Sequence, residues 1–449
     1  MHREFFVNLT AVCQSNSPDA FFYSRIAVYS RPRFMNRLSV FIGALLFAPG
    51  LINEAKAQEK KGVPIVAMPH TDTLALKKDT VPQRDIYDVL ERGLLKKKPK
   101  SGKKDTVSTK PAISFIPAVG YTLTSGLAVT FSGNMAFRTA PGARISTITA
   151  SAAFTQKKQF TVPIESNIWS KSGKYIFIGD YRFYKYPQDT YGLGSSSNIN
   201  NVDPVQFNYI RFYETVMRRI TGNLYLGGGY IIDYHGDISE SGNTNGTPSD
   251  YAAYGTPTHT ISSGITFNGF YDSRDNSINP AKGSYTAFQY RDSFDFLGST
   301  SPWSSLIIDV RRYYNLPEGS DNVLVLWNYD WLVLKGKPPY LDLPATSWDP
   351  YSSTGRGYIQ GRFRGAQMVY LESEYRYKIS ADGLFGGVVF VNAESFSAAN
   401  GTRLQGIQPG IGPGLRIKLN KVSKTNLCID YGFGRESSRG LFVNVGELF

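Results

Sequence analysis

The chain has 449 residues, which fits one large domain or two or three ordinary ones, and its aromatic content of 14% together with 43 glycines is typical of many strands joined by tight turns. The formal net charge of +13 does not indicate nucleic-acid binding, because much of the excess lies in one tract, from Lys96 to Lys104, that is typical of a solvated linker. Composition and charge therefore favour a β-rich protein and exclude nucleic acid as the expected partner.

Residues 35–57 have the three parts of a secretory signal peptide. A short basic start at Met35 is followed by an apolar run, from Leu38 to Ile52, and by the small-x-small cleavage site Ala55-Lys56-Ala57. The apolar run is short for a transmembrane helix, and a buried core helix is the other interpretation. The signal predicts export, with Met35 as the true start and residues 1–34 as a gene-model extension.

Residues 58–111 are polar, rich in lysine and contain proline, which predicts a basic, disordered linker in the periplasm. One short amphipathic piece, from Asp85 to Glu91, predicts about two helical turns within it. The linker is too short for a folded βαββ-type periplasmic domain, so none is expected between the leader and the strands that follow.

Residues 112–449 contain alternating apolar and polar runs about every 21 residues, separated by Gly, Pro, Asn and Asp. About sixteen runs can be counted, an even number, as in closed membrane barrels of single bacterial chains. In Lys174–Tyr184 and in His259–Asp272 one face is apolar and the other is polar. The sheet must close, because lipid cannot hydrogen-bond an open edge. The predicted fold class is all-β, a single transmembrane antiparallel β-barrel of about sixteen strands.

The most informative run extends from Thr354 to Ile379. Its first half is a Gly-rich, basic loop, and its second half is a strand that alternates between an apolar and a charged face. The charged face carries Glu372, Glu374 and Arg376, which suit the wet lumen of a membrane barrel, while the apolar face suits lipid. If both ends of the barrel are periplasmic, every connection after an odd-numbered strand lies outside the cell. The long loop between strands 11 and 12 is therefore predicted to lie on the outer side.

Three local signatures occur together. The first is Arg356-Gly357-Tyr358 in the loop before strand 12. The second joins strands 8 and 9 and consists of Tyr271 to Asn276 followed by Pro280 to Gly283. The third runs from Gly432-Phe433-Gly434 to the terminal Phe449. In this order and spacing they resemble the BamA/TamA family of outer-membrane barrel proteins, also called bacterial surface antigens, over residues 112–449.

The resemblance implies a sixteen-stranded barrel whose first and last strands pair weakly and leave a lateral seam. It also implies that the loop after strand 11 folds into the lumen, where Arg356 meets acidic residues on strands 12 and 13. The candidate partners are Glu372, Glu374 and Glu394. A guanidinium held by carboxylates in a partly desolvated lumen locks the loop; a solvated loop arginine is the other interpretation.

The chain departs from the family's pattern in two respects. Asn392 stands on strand 13 where the family has an aspartate, which weakens the arginine contact or moves it to Glu394. The periplasmic POTRA domains, which in the family receive client chains and dock partner lipoproteins, are missing. The expected relative is therefore a POTRA-less one.

The last strand alternates Leu441, Val443 and Val445 and ends on the aromatic Phe449, with Glu447 as an exception near the periplasmic rim. This pattern resembles the C-terminal signal by which outer-membrane barrels are recognised for insertion. It predicts that the chain is itself a client of the barrel-assembly machinery, with Phe449 as the last residue of the signal.

The leading functional prediction is a role in outer-membrane protein or envelope assembly, exerted through the lateral seam in the cell outer membrane. The alternative is a passive pore or a structural surface antigen without assembly activity. The expected partners are outer-membrane lipid and a separate periplasmic or lipoprotein partner that replaces the missing domains.

An enzyme is not expected. His70, His235 and His259 have no serine and acidic partners at informative spacing, and no metal-binding, cofactor-binding or phosphate-binding motif stands out. Cys428 is the single cysteine after the predicted start, which leaves no internal disulfide. No catalytic residue, cofactor or metal is predicted.

Overall fold

The structure, a computed structural model, describes residues 81–86, 88–89, 111–398, 401, 403–421, 424–447 and 449. The predicted gene-model extension, the predicted signal peptide and most of the predicted linker lie outside these residues. The described residues form one antiparallel sheet of sixteen strands that follow one another in chain order. The predicted fold class is therefore confirmed.

Each strand is hydrogen-bonded to the next one in sequence. The strands are β1 (Ala112–Thr122), β2 (Gly126–Arg138), β3 (Ile145–Thr155), β4 (Phe160–Trp169), β5 (Tyr175–Thr190), β6 (Asp203–Thr221), β7 (Leu224–Glu240), β8 (Thr260–Asp272), β9 (Gly283–Ser293), β10 (Trp303–Asn315), β11 (Val323–Gly336), β12 (Gln367–Lys378), β13 (Phe385–Phe396), β14 (Gln408–Asn420), β15 (Thr425–Phe433) and β16 (Arg439–Val445). One short helix, α1 (Asp250–Tyr254), lies in the loop after β7. No helix in the described part of the chain is long and apolar enough to cross a membrane.

The sheet has the polarity of a membrane barrel, because its exposed wall is apolar and its opposite face is charged and buried. Phe115, Phe267 and Val391 point outward and expose 67%, 52% and 52% of their surface. On the opposite face, Arg291 and Glu374 are 5% and 0% exposed. A protein surrounded by water has the reverse arrangement. The outer wall therefore suits lipid, and the charged face lines the lumen.

The three longest connections lie on the side of the barrel where long loops are predicted. The connections after β5, β7 and β11 are long, spanning residues 191–202, 241–259 and 337–366, whereas the turn after β14 spans only residues 421–424. The start of β1 and the end of β16 lie on the same side of the barrel. Connections that follow odd-numbered strands, including all three long loops, therefore lie on the other side. In a membrane barrel the long loops face the exterior and the short turns face the periplasm.

Three strands are longer than the sequence predicts. The run predicted to end at Tyr184 continues to Thr190, so that β5 has 16 residues, and β6 and β7 have 19 and 17. A membrane needs only about 9–11 residues per strand, so these strands extend beyond its outer surface. Although proline lacks an N–H donor, Pro187 lies within β5, opposite Gln206 of β6.

The first and last strands form no hydrogen-bonded ladder with each other among the residues that the structure describes. Their outer ends nevertheless meet, because a Cβ atom built on Gly440 in β16 would collide with the side chain of Leu123, which follows β1. With 7 residues β16 is shorter than β1, which has 11. Part of the β1 edge therefore has no opposite strand, and this junction is called the seam.

Candidate functional site: the infolded loop and its ionic cluster

The connection between β11 and β12, residues 337–366, folds back into the lumen and is called the infolded loop. Its arginines Arg356, Arg362 and Arg364 are each 1% exposed. Full burial of three guanidinium groups requires partners for each of them. It also excludes the interpretation of Arg356 as a solvated loop residue.

Short internal turns hold the shape of the infolded loop. The backbone N–H groups of Thr346 and Gly361 donate to the carbonyl oxygens of Phe363 and Thr346, at 3.0 and 2.9 Å. The Asp349 carboxylate accepts from the backbone N–H and the hydroxyl of Thr354, at 2.9 and 2.8 Å. Local side-chain bonds of this kind fix a turn without help from a sheet. The segment that leads to Arg356 is therefore preorganised.

Arg356 lies among three carboxylates. Its Nη1 atom donates to Asp430 on β15 at 2.7 Å, and its Nη2 atom donates to Glu372 and Glu374 on β12. Its guanidinium carbon also lies 3.7 Å from the centroid of the Phe390 ring. A guanidinium has a fork of donors that can serve several carboxylates at once, and a lumen that excludes water strengthens each bond. The structure thus joins the predicted Arg356, Glu372 and Glu374 and adds Asp430.

Two more arginines extend this arrangement. Arg376 donates to Glu374 at 2.6 Å, and Arg416 on β14 donates to Asp430 at 2.5 Å and to Glu447 at 2.9 Å. Positive and negative groups therefore alternate from β12 to the C-terminal tail, as buried charges require. The ionic cluster consists of Arg356, Glu372, Glu374, Arg376, Arg416, Asp430 and Glu447. It ties β12, β14, β15 and the infolded loop together.

Asn392 and Glu394 on β13 hold the infolded loop in a different way from the one the sequence suggests. Asn392 donates its side-chain amide to the backbone carbonyl of Arg356 at 3.0 Å. An aspartate could not, because an ionised carboxylate only accepts hydrogen bonds. Glu394 accepts from Thr346 of the loop at 3.1 Å and makes no ion pair with Arg356 in the described part of the chain. The arginine contact has therefore moved to Asp430 and not to Glu394.

Gly357 lets the infolded loop lie directly on β15. Its φ of 114° favours glycine, and a Cβ atom there would lie 2.9 Å from the backbone carbonyl of Phe433. A Cβ atom on Gly432 would lie 2.6 Å from the backbone nitrogen of Gly357. The Arg-Gly-Tyr motif and the Gly-Phe-Gly motif, which are far apart in the sequence, are thus two halves of one contact.

Replacing Gly357 by alanine is expected to destabilise the barrel by roughly 2–4 kcal/mol, because backbone strain and the clash with Phe433 add. Urea unfolding in detergent micelles measures the change. Gly255→Ala is the matched control, since Gly255 has a φ of 122° but no atom within 4 Å of the position that a Cβ atom would take. Equal losses in the two variants would mean that the loop does not press on β15.

Tyr358 completes the contact of the Arg-Gly-Tyr motif with the barrel wall. Its hydroxyl donates to the carbonyl of Pro409 at 2.6 Å and accepts from the backbone N–H of Arg435 at 3.0 Å. Its ring packs edge-on against Phe363 at 5.2 Å. The phenol therefore joins β14 to the turn between β15 and β16.

The infolded loop also contacts both sides of the seam at its outer end. Arg362 donates to Glu436, in the turn between β15 and β16, at 2.8 Å. On the other side, the backbone N–H of Gln360 donates to the hydroxyl of Thr124, in the turn after β1, at 2.9 Å. Arg362 was not among the predicted site residues, although the basic composition of the loop was a signal for it.

The C-terminus turns into the lumen and does not continue the last strand. The strand β16 ends at Val445, and Phe449 is 4% exposed, with its ring stacked on Trp327 at 4.6 Å. Arg376 donates to the backbone carbonyl of Phe449 at 3.1 Å. The side chain of Glu447, which the sequence places at the rim, is 0% exposed in the ionic cluster. The outward alternation therefore stops at Val445, because buried charge and aromatic surface hold the tail inside.

The second signature extends across the periplasmic mouth of the lumen. The Asp275 carboxylate accepts from the backbone N–H groups of Ala281 and Lys282, at 2.8 and 3.2 Å, which shapes the loop after β8. Asn279 donates to the backbone carbonyl of Lys424 at 3.3 Å, and the Lys424 ammonium lies 3.7 Å from Asp275. Since Lys424 is in the turn after β14, the loop bridges distant strands of the barrel.

The surroundings of His235 do not form a catalytic triad. The imidazole is stacked on Tyr209 at 4.6 Å, and its Nδ1 atom lies 3.5 Å from Asp342. Ser262 donates to the other oxygen of Asp342 at 2.5 Å, whereas a nucleophilic serine must donate to the base. Within the described ranges, no group of three or more His, Cys, Asp or Glu side chains is arranged to hold a metal ion.

Comparisons with known proteins find likeness in structure alone. No family model matches the chain, and no curated protein matches it either. Among solved structures, it resembles BamA from Haemophilus ducreyi lacking POTRA domains 1-3, with a TM-score of 0.50 and 13% identity, over 75% of this chain and 70% of that one. It also resembles CdiB from Acinetobacter baumannii, with a TM-score of 0.50 and 14% identity, over 74% of this chain but only 59% of that one. The chain therefore has a BamA-like β-barrel fold.

Proposed function

We propose that the protein is an outer-membrane barrel that acts in the assembly of outer-membrane proteins or of the envelope, through the seam between β1 and β16. The observation that carries the proposal is the contrast between the seam and the rest of the wall. All consecutive strands are joined by ladders, and no ladder joins β1 to β16 among the described residues. Unpaired backbone groups on a strand edge can pair with an incoming strand. The BamA-like fold supports the same proposal.

In this proposal the ionic cluster has a mechanical role. It holds β12, β14 and β15 to the infolded loop, so that this region of the wall keeps its shape when the seam opens. The step itself is physical: an incoming strand forms backbone hydrogen bonds with the free edge of β1. Such pairing needs no cofactor and no covalent intermediate.

A disulfide across the seam is expected to abolish the function. Leu123→Cys and Gly440→Cys, with Cys428→Ser, place two thiols where the side chain of Leu123 already lies against Gly440. In cells depleted of the native protein, the oxidised variant should fail to restore the outer-membrane protein profile and lipid asymmetry, and a reductant should restore both. The control pair, Ser132→Cys with Ser151→Cys, joins partners inside the β2–β3 ladder.

Two outcomes of this experiment contradict the proposal. In the first, depletion leaves the outer-membrane protein profile and the lipid asymmetry unchanged. In the second, the oxidised seam variant complements as well as the oxidised control pair. Gel mobility of unboiled samples verifies that both variants fold.

A passive pore or structural surface antigen is the second candidate. One observation favours a pore: the lumen face of β2 carries Thr130, Ser132 and Asn134, uncharged polar side chains that are only partly buried. Planar-bilayer recording separates the candidates. A large, steady conductance would favour the pore, whereas a mostly closed trace with rare openings would favour a barrel held shut by its loop.

We also propose three kinds of partner. Outer-membrane lipid surrounds the apolar wall, and the barrel-assembly machinery inserts the chain as one of its clients. A separate periplasmic protein or lipoprotein takes the role that POTRA domains have in the BamA/TamA family, which is to receive client chains and dock partner lipoproteins. Copurification of such a protein with the full chain, and its loss when residues 58–111 are deleted, would support this last partner.

A further inference from the structure

Part of the predicted linker, residues 82–86 with 88 and 89, contacts the periplasmic turns of the barrel and is called the periplasmic segment. Lys421, in the turn between β14 and β15, donates its backbone N–H to Asp85 at 3.1 Å and its ammonium to Asp88 at 2.6 Å. Asp85 is 6% exposed. The linker, predicted to be disordered outside its short helical piece, is thus fixed to the barrel at this piece.

The same two carboxylates begin a helical turn. The backbone N–H of Asp88 donates to the Asp85 carboxylate at 3.0 Å, and the backbone N–H of Asp85 donates to the Asp88 carboxylate at 3.1 Å. This reciprocal pattern is a capping box in which aspartates replace the usual serine and glutamate. Because the cap fixes both side chains, they meet Lys421 with little further loss of conformational entropy.

A second contact lies at the turn between β12 and β13. The backbone N–H of Arg84 donates to the carbonyl of Asp382 at 2.9 Å, and the guanidinium lies 3.6 Å from the Asp382 carboxylate. A hydrogen bond from the Ser380 hydroxyl holds the pKa of Asp382 below its ordinary value. The periplasmic segment therefore presents a base to one turn and two acids to the other.

The turn that binds the two acids belongs to the hairpin that anchors the infolded loop. Arg416 on β14 and Asp430 on β15 are members of the ionic cluster, and Asp430 accepts from Arg356 at 2.7 Å. A displacement of this hairpin relative to the infolded loop changes the distance between Asp430 and Arg356. The β14–β15 hairpin thus connects the periplasmic segment with the loop that contacts the seam.

The two ion pairs of the periplasmic segment, Lys421 with Asp88 and Arg84 with Asp382, are weak enough to be broken reversibly. The side chains of Lys421 and Asp88 are 39% and 26% exposed, and that of Arg84 is 39% exposed. Ion pairs with this exposure contribute little to stability and are screened by salt. The ionic cluster, by contrast, is buried, so the two sets of charges respond differently to ionic strength.

We propose that Asp85 and Asp88 form a releasable latch on the β14–β15 turn, and that the latched segment steadies the hairpin that holds Arg356. A periplasmic partner with a basic surface, which competes with Lys421 for the two carboxylates, releases the latch and loosens the infolded loop. The latch goes beyond the proposed function, since it can operate whether or not the barrel assembles proteins.

The first measurement tests the latch in the full chain. Spin labels at Val89→Cys and Glu318→Cys, with Cys428→Ser, report the distance between the periplasmic segment and the exposed turn after β10. We expect a narrow distance distribution at low salt and a broad one in Asp85→Asn/Asp88→Asn. Asp321→Asn removes an acid of the β10–β11 turn whose side chain is 71% exposed, and it should leave the distribution narrow.

The second measurement tests the connection to the loop. Backbone amides of residues 355–362 should exchange hydrogen about tenfold faster in Asp85→Asn/Asp88→Asn than in Asp321→Asn, because a loosened hairpin opens more often. A distribution that stays narrow in the double variant overturns the latch. A broad distribution with unchanged exchange overturns the connection. Loss of folded gel mobility in the double variant would show that the segment is part of the fold and not a releasable latch.

Discussion

Arg356→Met is expected to destabilise the folded barrel by about 3–5 kcal/mol, the cost typical of removing one partner from a buried ion pair. Methionine retains much of the buried volume but leaves Glu372, Glu374 and Asp430 facing one another without the guanidinium that now contacts all three. Carboxylates this close repel each other unless they take up protons or water. Urea unfolding in detergent micelles, followed by tryptophan fluorescence and gel mobility, measures the loss.

Two further variants separate charge from size at this position. Arg356→Lys keeps the charge but lacks the planar fork that reaches several carboxylates, so its loss should be intermediate. Arg219→Met changes an exposed arginine at the periplasmic end of β6 and should have little effect. If Arg356→Met and Arg219→Met unfold at the same urea concentration, the ionic cluster does not hold the barrel together.

Removing one acid should restore part of what Arg356→Met loses. In Arg356→Met/Glu374→Gln fewer like charges face one another, although Arg376 then loses its bond to Glu374. The stability loss of the double variant should therefore be smaller than the sum of the losses in Arg356→Met and Glu374→Gln. Additive losses would mean that repulsion among the carboxylates is not the cause.

The fold could be predicted from the sequence because its signal is local. Each strand separates lipid from a wet lumen, so alternation within about ten residues already distinguishes the two faces. The outward Ile265 and Phe267 and the inward Thr266 and Asn268 follow this rule in β8. The same signal does not locate the ends of β5 to β7, because these strands continue into the water beyond the membrane, where no apolar face is needed.

The site could be predicted only in part, because its geometry depends on contacts between distant segments. Arg356 could be predicted from the Arg-Gly-Tyr motif, and Glu372 and Glu374 from the charged face of the strand that follows it. Asp430 was missed, although the alternation of β15, with its neighbours Ile429 and Tyr431 on the other face, was a signal that it faces the lumen. Nothing in one strand indicates which loop reaches it.

The inward turn of the C-terminal tail could not be predicted from the sequence pattern. Period-two alternation through Val445 suggests that Phe449 continues on the outer face. The structure places Phe449 against Trp327 and Glu447 beside Arg416, two contacts made by strands far away in the sequence. Burial of one aromatic ring and one ion pair decides the direction, and neither can be read from the last strand alone.

Phe449→Ala is expected to destabilise the folded barrel by about 3–5 kcal/mol, since it removes a buried aromatic side chain that is 4% exposed. Lost stacking on Trp327 accounts for about 0.5–1.5 kcal/mol of this beyond the buried area, so Phe449→Leu should lose less. Val445→Ala is the matched control, because Val445 is 42% exposed on the outer wall. Unfolding of purified protein in detergent micelles measures all three.

The same variants separate the two roles assigned to Phe449. A residue that serves only as an insertion signal matters while the chain enters the membrane and not afterwards. Purified Phe449→Ala, refolded into lipid vesicles without any assembly machinery, would then be as stable as the unaltered protein. The packing of Phe449 on Trp327 predicts the opposite, a loss of stability that persists after refolding, because the cavity belongs to the folded state and not to the route by which it forms.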